Sequence, residues 1–147
     1  MTSVNPANDS VEIPVEHQME IRVRYQETDA QGRVHHSNYL NYFEVARTEM
    51  LRTSGRSYSE VGAEGIMLVV VKATLDYRRG AKYEELLTIK TTLVKAKGAR
   101  ITHRYEITCD SEIVCQGETI VAAVGTDGKV KRLPPWLRTD WGQAAGA

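Results

Sequence analysis

Cysteine is scarce in this chain of 147 residues, which contains only Cys109 and Cys115. Two cysteines make neither a disulfide framework nor the CxxC pairs of a structural zinc site. Although they can face each other across a hairpin, we expect reduced thiols, because a chain of this length can bury a core without covalent staples. The composition therefore argues against the small, disulfide-stapled class.

Long hydrophobic runs and an excess of one charge are also missing. The longest apolar run, 66–71, is far shorter than the roughly 18 residues of a membrane span. The 19 basic and 19 acidic side chains cancel, which argues against a protein that coats nucleic acid. The first 18 residues have neither the basic nor the apolar region of a secretory signal. We therefore expect a cytoplasmic protein with no stable membrane insertion and no nucleic-acid partner.

The pattern of residues predicts one domain between two polar ends. Residues 1–16 read as a flexible arm with Pro6 and Pro14, 17–138 as the domain, and 139–147 as a tail. Alternating apolar residues, which indicate half-buried strands, recur along most of the domain. They predict a first strand through Ile21, Val23 and Tyr25, followed after the helical part by strands at 66–78, 87–93, 101–107 and 113–124.

A helix is predicted over 38–53, after an irregular loop at 27–37. Its apolar stripe is formed by Tyr39, Phe43, Ala46 and Met50, at spacings of four and three. Either Ser37 or Asn38 is expected to cap the first turn, and Gly55 to follow the last turn in a left-handed conformation. A shorter helical piece is predicted at 58–63.

The order of the elements predicts an α+β fold. Short connections between long strands imply antiparallel pairing, and such a sheet buries one face. The single long helix is the available cover, with the antiparallel sheet wrapped around it. Because one helix is small beside five strands, we expect a second copy of the chain to cover an exposed edge or face.

Asp29 is the first candidate for chemistry, because it lies in the loop just before the helix. Free N–H groups at a helix start, with the positive end of the helix dipole, can polarise a carbonyl oxygen. A nearby carboxylate can then act as base or nucleophile. The alternative is that Asp29 only satisfies backbone groups of its own turn.

The segment YQETDAQGRVHHSNYLNYFEVART resembles the motif Y-x-x-T-D-x-x-G-x-V-x-H-x-N-Y-x-x-x-F-E-x-A-R of the 4-hydroxybenzoyl-CoA thioesterase family. The similarity is greatest to the Tol-Pal-associated acyl-CoA thioesterases. It extends through DYRRGAKYEELLTIKT to RLPPWLR, and so covers about residues 18–138. The resemblance implies the hotdog fold, an antiparallel sheet around one central helix.

The resemblance also implies roles for single residues. Asp29 takes the place of the catalytic carboxylate, which attacks the thioester carbonyl or activates water. The backbone N–H of His36 takes the place of the donor that polarises the carbonyl. The residues implied to bind substrate beside them are Tyr25, Asn38 and Tyr39.

Basic side chains are concentrated in 72–104, which holds nine Lys or Arg against three acids. A solvated strand face with lysines guarding its edges is one explanation. The resemblance implies another, in which Lys95, Lys97 and Arg100 hold the phosphates of coenzyme A. The chain departs from the family at Gly80, where proline is common, and at Arg33 and His35, where apolar or aromatic residues are common.

Other polar residues have competing interpretations. Glu44 is the internal rival of Asp29, since another hotdog branch has its acid on the helix, but we expect it to pair with Arg47 or with another nearby donor. Adjacent His35 and His36 side chains point apart, and no third metal ligand is evident, so no metal site is expected. His103 lies on an apolar strand face and is expected to be a hydrogen-bonded core residue.

The hypothesis that follows is an acyl-CoA thioester hydrolase that needs no cofactor. It would release a free acid and coenzyme A, and would work as a homodimer that assembles to a homotetramer. The first alternative is a hotdog protein that binds acyl-CoA or an acyl carrier without turnover. The second is a hydratase or dehydratase, which would need a paired Asp and His such as Asp29 and His36.

Overall fold

A long helix and five strands make up most of the structure, a computed structural model that describes residues 13–139. Most of the expected arm and tail, 1–12 and 140–147, lies outside the described residues. The strands are β1 Glu16–Arg22, β2 Ile66–Tyr77, β3 Leu86–Lys97, β4 Arg100–Cys109 and β5 Glu112–Gly125; the helices are α1 Asn38–Arg52 and α2 Tyr58–Ala63, with single 3-10 turns at Tyr25–Glu27 and Pro135–Leu137.

The five strands form one antiparallel sheet in the order β1-β3-β4-β5-β2. Strands β3, β4 and β5 follow one another by short hairpins, as the short connections predict. The helices lie between β1 and β2 in the chain, and these two strands form the opposite edges of the sheet. The predicted α+β class and antiparallel pairing are confirmed.

The prediction for the first strand is wrong at its end. Ile21 lies in β1, but the strand stops at Arg22. Val23 continues the alternation because it is fully buried, with its N–H donating to the carbonyl oxygen of Glu85 at 2.9 Å. Tyr25 begins a 3-10 turn and is 76% exposed. The alternation of exposed and buried residues therefore continues one residue beyond the end of β1.

Helix α1 lies across one face of the sheet, as its apolar stripe predicts. Phe43 stacks on Tyr105 of β4, with ring centroids 4.1 Å apart and planes 6° from parallel. The helix comes this close because β5 has Gly117 beneath it, where a Cβ would stand 2.6 Å from the Phe43 ring and 2.6 Å from the carbonyl oxygen of Thr74. A missing side chain in β5 therefore sets the distance between helix and sheet.

The expected cap of α1 is absent. Ser37 occupies the cap position, but its hydroxyl pairs with Nδ1 of His35 at 2.8 Å and not with the first turn. The amide of Asn38 donates to the carbonyl oxygen of Glu27 at 2.8 Å. The start of the helix is thus held by the preceding loop. At the other end, Gly55 has the expected left-handed φ of 84°.

A belt of polar side chains separates two apolar clusters between α1 and the sheet. Thr91, His103 and Thr119 are all buried there, and His103 lies opposite Thr119 in the register of β4 and β5. His103 is a core residue, as expected, but its Nδ1 has no hydrogen-bond partner within residues 13–139. The Tyr105 hydroxyl meets the Thr119 hydroxyl at 2.6 Å.

Cys109 and Cys115 are both buried and free, in agreement with the expected thiols. Cys115 lies opposite Ile107, so the two cysteines do not face each other across the hairpin. Within residues 13–139 no helix has the length and apolar character to cross a membrane.

The buried imidazole predicts how stability depends on pH. Burial, and to a smaller extent the Arg47 guanidinium, lowers the pKa of His103 from 6.5 to about 3. The unfolded chain takes up this proton below pH 6.5 and the folded chain does not, so acid favours unfolding. We expect His103 to contribute a loss of about 1.4 kcal/mol per pH unit between about pH 6 and 3.

Urea unfolding of the wild type and of His103→Leu, followed by circular dichroism across this range, measures the contribution. The slope of unfolding free energy against pH is expected to be shallower in the variant. Parallel curves for the two proteins would contradict a neutral, buried imidazole.

Candidate active site

The loop that carries Asp29 is a tight, backbone-bonded turn. The Asp29 N–H donates to the carbonyl oxygen of Arg33 at 2.7 Å, and the Gly32 N–H donates to the carbonyl oxygen of Asp29 at 3.0 Å. Gly32 adopts a φ of 77°, a conformation that favours glycine. Thr28 and Val34 pair as an antiparallel bridge at the base of the turn. The position of Asp29 is therefore set by the backbone.

The two carboxylate oxygens of Asp29 have different surroundings. Oδ1 accepts from the N–H of Gln31 at 2.9 Å and from the N–H of Arg33 at 3.2 Å. Oδ2 accepts no hydrogen bond from any described residue. The structural interpretation of Asp29 is thus correct for one oxygen, and the other oxygen is left for a ligand.

A buried glutamate, Glu27, holds this loop to the helix, and the sequence did not predict this role. Glu27 is 8% exposed. Its Oε1 accepts from the Tyr42 hydroxyl at 2.9 Å and from the Arg24 N–H at 2.8 Å, and its Oε2 accepts from Nε of Arg24 at 3.1 Å. Burial, and next the hydrogen bond to Glu27, raise the pKa of Tyr42, which keeps it a donor.

The backbone of Glu27 completes the attachment. Its carbonyl oxygen accepts from the His35 N–H and from the Asn38 side-chain amide, both at 2.8 Å. The loop before Asp29 is therefore joined directly to the first residue of α1. The sequence did not predict this attachment through Glu27, because the loop is polar without periodicity and an acidic loop residue is ordinarily solvated.

The start of α1 presents a free donor. The N–H groups of His35 and Asn38 are engaged, and the Ser37 N–H donates to Nδ1 of His35 at 3.2 Å. The His36 N–H donates to no other residue in the described part of the chain. It lies at the positive end of the 15-residue helix, where developing negative charge is stabilised.

Asp29 and His36 line the same open cavity, with a volume of about 330 Å³. Tyr39 and Tyr77 form part of its wall, with their ring centroids 5.6 Å apart. Burial is the main cause that raises the pKa of Tyr39 to about 12, so its hydroxyl is protonated at neutral pH. The cavity thus combines a carboxylate, a helix-start N–H and an aromatic wall.

The other residues expected to bind substrate are placed differently. Tyr25 packs edge-on against Tyr83, with centroids 5.7 Å apart, and does not line the Asp29 cavity. Asn38 uses its side chain to bind the loop. The basic cluster at the β3–β4 hairpin lies about 30 Å along the strands from the cavity of the same chain; it consists of Lys95, Lys97 and Arg100.

The remaining candidates take no part in this cavity, apart from His36. The expectation that the His35 and His36 side chains point apart is wrong, because their rings stack with centroids 4.2 Å apart. No group of three or more His, Cys, Asp or Glu side chains that could hold a metal ion occurs within residues 13–139. Glu44 lies 3.9 Å from Arg47, as expected, and is largely exposed.

A second cavity of about 400 Å³ lies between α1, α2 and the start of β2. Its lining is apolar at Tyr58, Val61 and Leu68 and polar on the α1 side, at Glu44 and Arg47. It opens at the end of β2 opposite to Tyr77, which borders the Asp29 cavity. Within one chain, the two cavities are therefore separate.

Comparison with known proteins assigns the family. The sequence profile described as the thioesterase-like superfamily matches residues 23–140. The chain belongs to the thioesterase-like superfamily. This agrees with the resemblance carried by the Asp29 motif, and the match covers both cavities.

Several thioesterase-like relatives match most of the chain. The acyl-CoA thioesterase YbgC of Haemophilus influenzae is 37% identical over 112 residues, which are 76% of this chain and 82% of that protein. A putative esterase of Aquifex aeolicus is 34% identical over 113 residues, 77% and 88% of the two chains. The YbgC relatives fit the expected Tol-Pal-associated branch.

Solved thioesterase-like structures confirm the hotdog fold. The DHNA-CoA thioesterase of Staphylococcus aureus superposes with a TM-score of 0.79 at 32% identity, over 89% of both chains. A 4-hydroxybenzoyl CoA thioesterase complexed with 4-hydroxybenzoyl CoA superposes with a TM-score of 0.74, over 83% of this chain and 95% of that one. At 18% identity, the second structure supports the fold alone.

The buried glutamate generates a testable prediction for the thioesterase-like site. Glu27→Gln keeps the shape of the side chain but removes the charge that accepts from Arg24 and Tyr42. We expect the free energy of unfolding to fall by about 1–3 kcal/mol, the range for hydrogen bonds to a charged group. Urea unfolding measures the change.

Glu20→Gln is the matched control, because Glu20 is exposed on β1. Its effect is expected to stay within about 0.5 kcal/mol. Equal effects of the two substitutions would show that the Glu27 charge does not hold the loop.

Proposed function

We propose that this chain hydrolyses an acyl-CoA thioester to a free carboxylic acid and coenzyme A. The observation that carries the proposal is one cavity lined by both Asp29 and the helix start at His36. Relatives named acyl-CoA thioesterase and acyl-CoA thioester hydrolase support the substrate class. No step of the reaction requires a metal or a redox cofactor.

The helix start binds the carbonyl oxygen of the thioester. The His36 N–H donates to this oxygen, and the hydrogen bond strengthens as the carbonyl becomes a tetrahedral oxyanion. The positive end of the α1 dipole acts in the same direction. The backbone, and not the imidazole, is the part of His36 that takes part.

Asp29 drives the attack through its free Oδ2. As a base, the carboxylate takes a proton from water while the water oxygen bonds to the carbonyl carbon. As a nucleophile, it forms an anhydride that water then cleaves. On either route, the tetrahedral intermediate collapses and the C–S bond breaks, so that coenzyme A departs as a thiolate and is then protonated.

Two copies of the chain pair through β2 in this proposal. Strand β2 is a sheet edge of 12 residues, and its apolar side chains are unusually exposed, with Met67 at 48%, Val70 at 53% and Val71 at 50%. A long apolar edge is a template for strand pairing. A twofold axis through β2 would join two sheets into one and cover this strip.

Such pairing brings the two separate cavities together. Antiparallel partners place the Tyr77 end of one β2 beside the Ile66 end of the other. The Asp29 cavity of one copy then adjoins the apolar cavity of its partner, which takes the acyl group. The partner's β3–β4 hairpin, with its basic cluster, comes to the same end, at about 15 Å for three strand spacings.

Two wider features belong to the same proposal. Two such dimers form the homotetramer, and the solution mass reports both levels of assembly. The protein is cytoplasmic, and its free, buried Cys109 and Cys115 suit a reducing compartment.

Replacing the carboxylate tests the chemistry. Asp29→Asn keeps an oxygen that can accept from the N–H groups of Gln31 and Arg33, so we expect the fold to persist. We expect kcat toward a panel of short, long and aromatic acyl-CoA thioesters to fall at least about 100-fold. Release of free thiol measures the rate.

Asp127→Asn is the matched control, since Asp127 also accepts from a backbone N–H two residues on, that of Lys129, at 3.0 Å. Its activity is expected to equal that of the wild type. Full activity in folded Asp29→Asn would remove Asp29 from the mechanism. Saturable acyl-CoA binding by the wild type with no hydrolysis would instead indicate a binding protein.

Disrupting the edge strand tests the assembly. Val70→Lys places a charge in the centre of β2, and we expect the mass by light scattering to fall to that of one copy. Activity is expected to fall at least about tenfold, because the acyl cavity comes from the partner. Val94→Lys, with Val94 44% exposed on β3, is expected to keep the dimer. A wild type of single-copy mass would contradict the pairing.

A further inference from the structure

Two cations lie directly opposite each other where the Asp29 loop meets the chain after β2. Arg33 and Lys82 pair as an antiparallel bridge, and the neighbouring Val34 N–H donates to the Ala81 carbonyl oxygen at 2.8 Å. Residues opposite each other in such a bridge project to the same face. Val34 and Ala81 are buried, so Arg33 and Lys82 project to the exposed face.

Neither cation is neutralised by an acidic side chain of residues 13–139. The nearby Glu85 is committed elsewhere, because it accepts from Arg79 at 3.0 Å and from the backbone N–H of Lys82 at 2.7 Å. Like charges directly opposite each other destabilise a bridge. An anion placed between Arg33 and Lys82 would reverse the sign of this interaction.

Arg33 contacts the wall of the Asp29 cavity through Gly80, although neither Arg33 nor Lys82 lines the cavity itself. Gly80 lines that cavity, and the Arg33 side chain lies across Gly80 so closely that a Cβ there would be 2.6 Å from its Cδ. The glycine is therefore what lets the guanidinium stem lie along the rim. Arg33 and Gly80 are both among the positions where the sequence departs from the family it resembles.

We propose that Arg33 and Lys82 bind a phosphate group of the coenzyme A carrier at the rim of the Asp29 cavity. The inference rests on the proposed function. Guanidinium can donate two hydrogen bonds to one phosphate, and the Lys82 ammonium adds a compact charge. These two residues belong to the same chain as Asp29, whereas Lys95, Lys97 and Arg100 reach the cavity only from a partner.

Kinetics with two matched substrates test the pair. One is an acyl-CoA thioester, and the other is the same acyl group on N-acetylcysteamine, which has no phosphate. Arg33→Gln and Lys82→Gln are each expected to raise the KM for the coenzyme A thioester, relative to the KM for the N-acetylcysteamine thioester, about fivefold. Arg104→Gln, in the middle of β4 on the face of the sheet turned away from α1, is the control and is expected to leave the ratio unchanged.

Gly80→Ala tests the placement of Arg33 without removing its charge. The three atoms nearest to the added Cβ all belong to the flexible side chain of Arg33, so the variant is expected to fold and to raise the same ratio. An unchanged ratio in both Arg33→Gln and Lys82→Gln overturns the proposal. So does a rise that is confined to Lys95→Gln or Lys97→Gln.

Calorimetric binding of free coenzyme A separates this inference from the proposed function. If no thioester is hydrolysed but Arg33→Gln and Lys82→Gln weaken coenzyme A binding about fivefold, the pair stands and the thioesterase proposal fails. If thioesters are hydrolysed and the two substitutions leave coenzyme A binding unchanged, only the phosphate-binding proposal fails. Equal displacement of coenzyme A by the same concentration of inorganic phosphate shows a general anion site and also overturns the proposal.

Discussion

A buried carboxylate joins the Asp29 loop to the helix that carries His36. Glu27 accepts from Tyr42 on α1 and from Arg24 beside the sheet, while its backbone oxygen takes the N–H of His35 and the amide of Asn38. Without these contacts, the relative position of Asp29 and the helix start would depend on loop residues alone. The arrangement of the cavity therefore depends on a residue that does not line it.

The division of the core into two apolar clusters is matched by two separate cavities. The cluster beneath the start of α1 supports the Asp29 cavity, and the cluster beneath its end supports the apolar cavity at α2. The polar belt of Thr91, His103 and Thr119 lies between them. One chain thus carries two dissimilar cavities at opposite ends of its sheet, and in the proposed dimer the exposed β2 edge brings cavities from two copies together.

Local patterns were enough to predict α1, the antiparallel sheet and the pairing of Asp29 with a helix start. Each depends on spacing within about 20 residues, such as the stripe through Phe43. The burial of Glu27 could not be predicted, because it depends on Arg24 and Tyr42 meeting around one side chain. The distance of Lys95 from the Asp29 cavity could not be predicted either, because it depends on strand direction and order, which decide which loops lie at the same end of the sheet.

The contact between Arg33 and Gly80 makes the two positions depend on each other. A side chain at 80 would occupy the space that the Cδ of Arg33 now fills. Arginine at 33 is therefore accommodated in this rotamer only while position 80 has no side chain, whereas glycine at 80 is also tolerable with a smaller residue at 33. The effect of a side chain at position 80 therefore depends on the residue at position 33, and substitutions at the two positions are not expected to be additive.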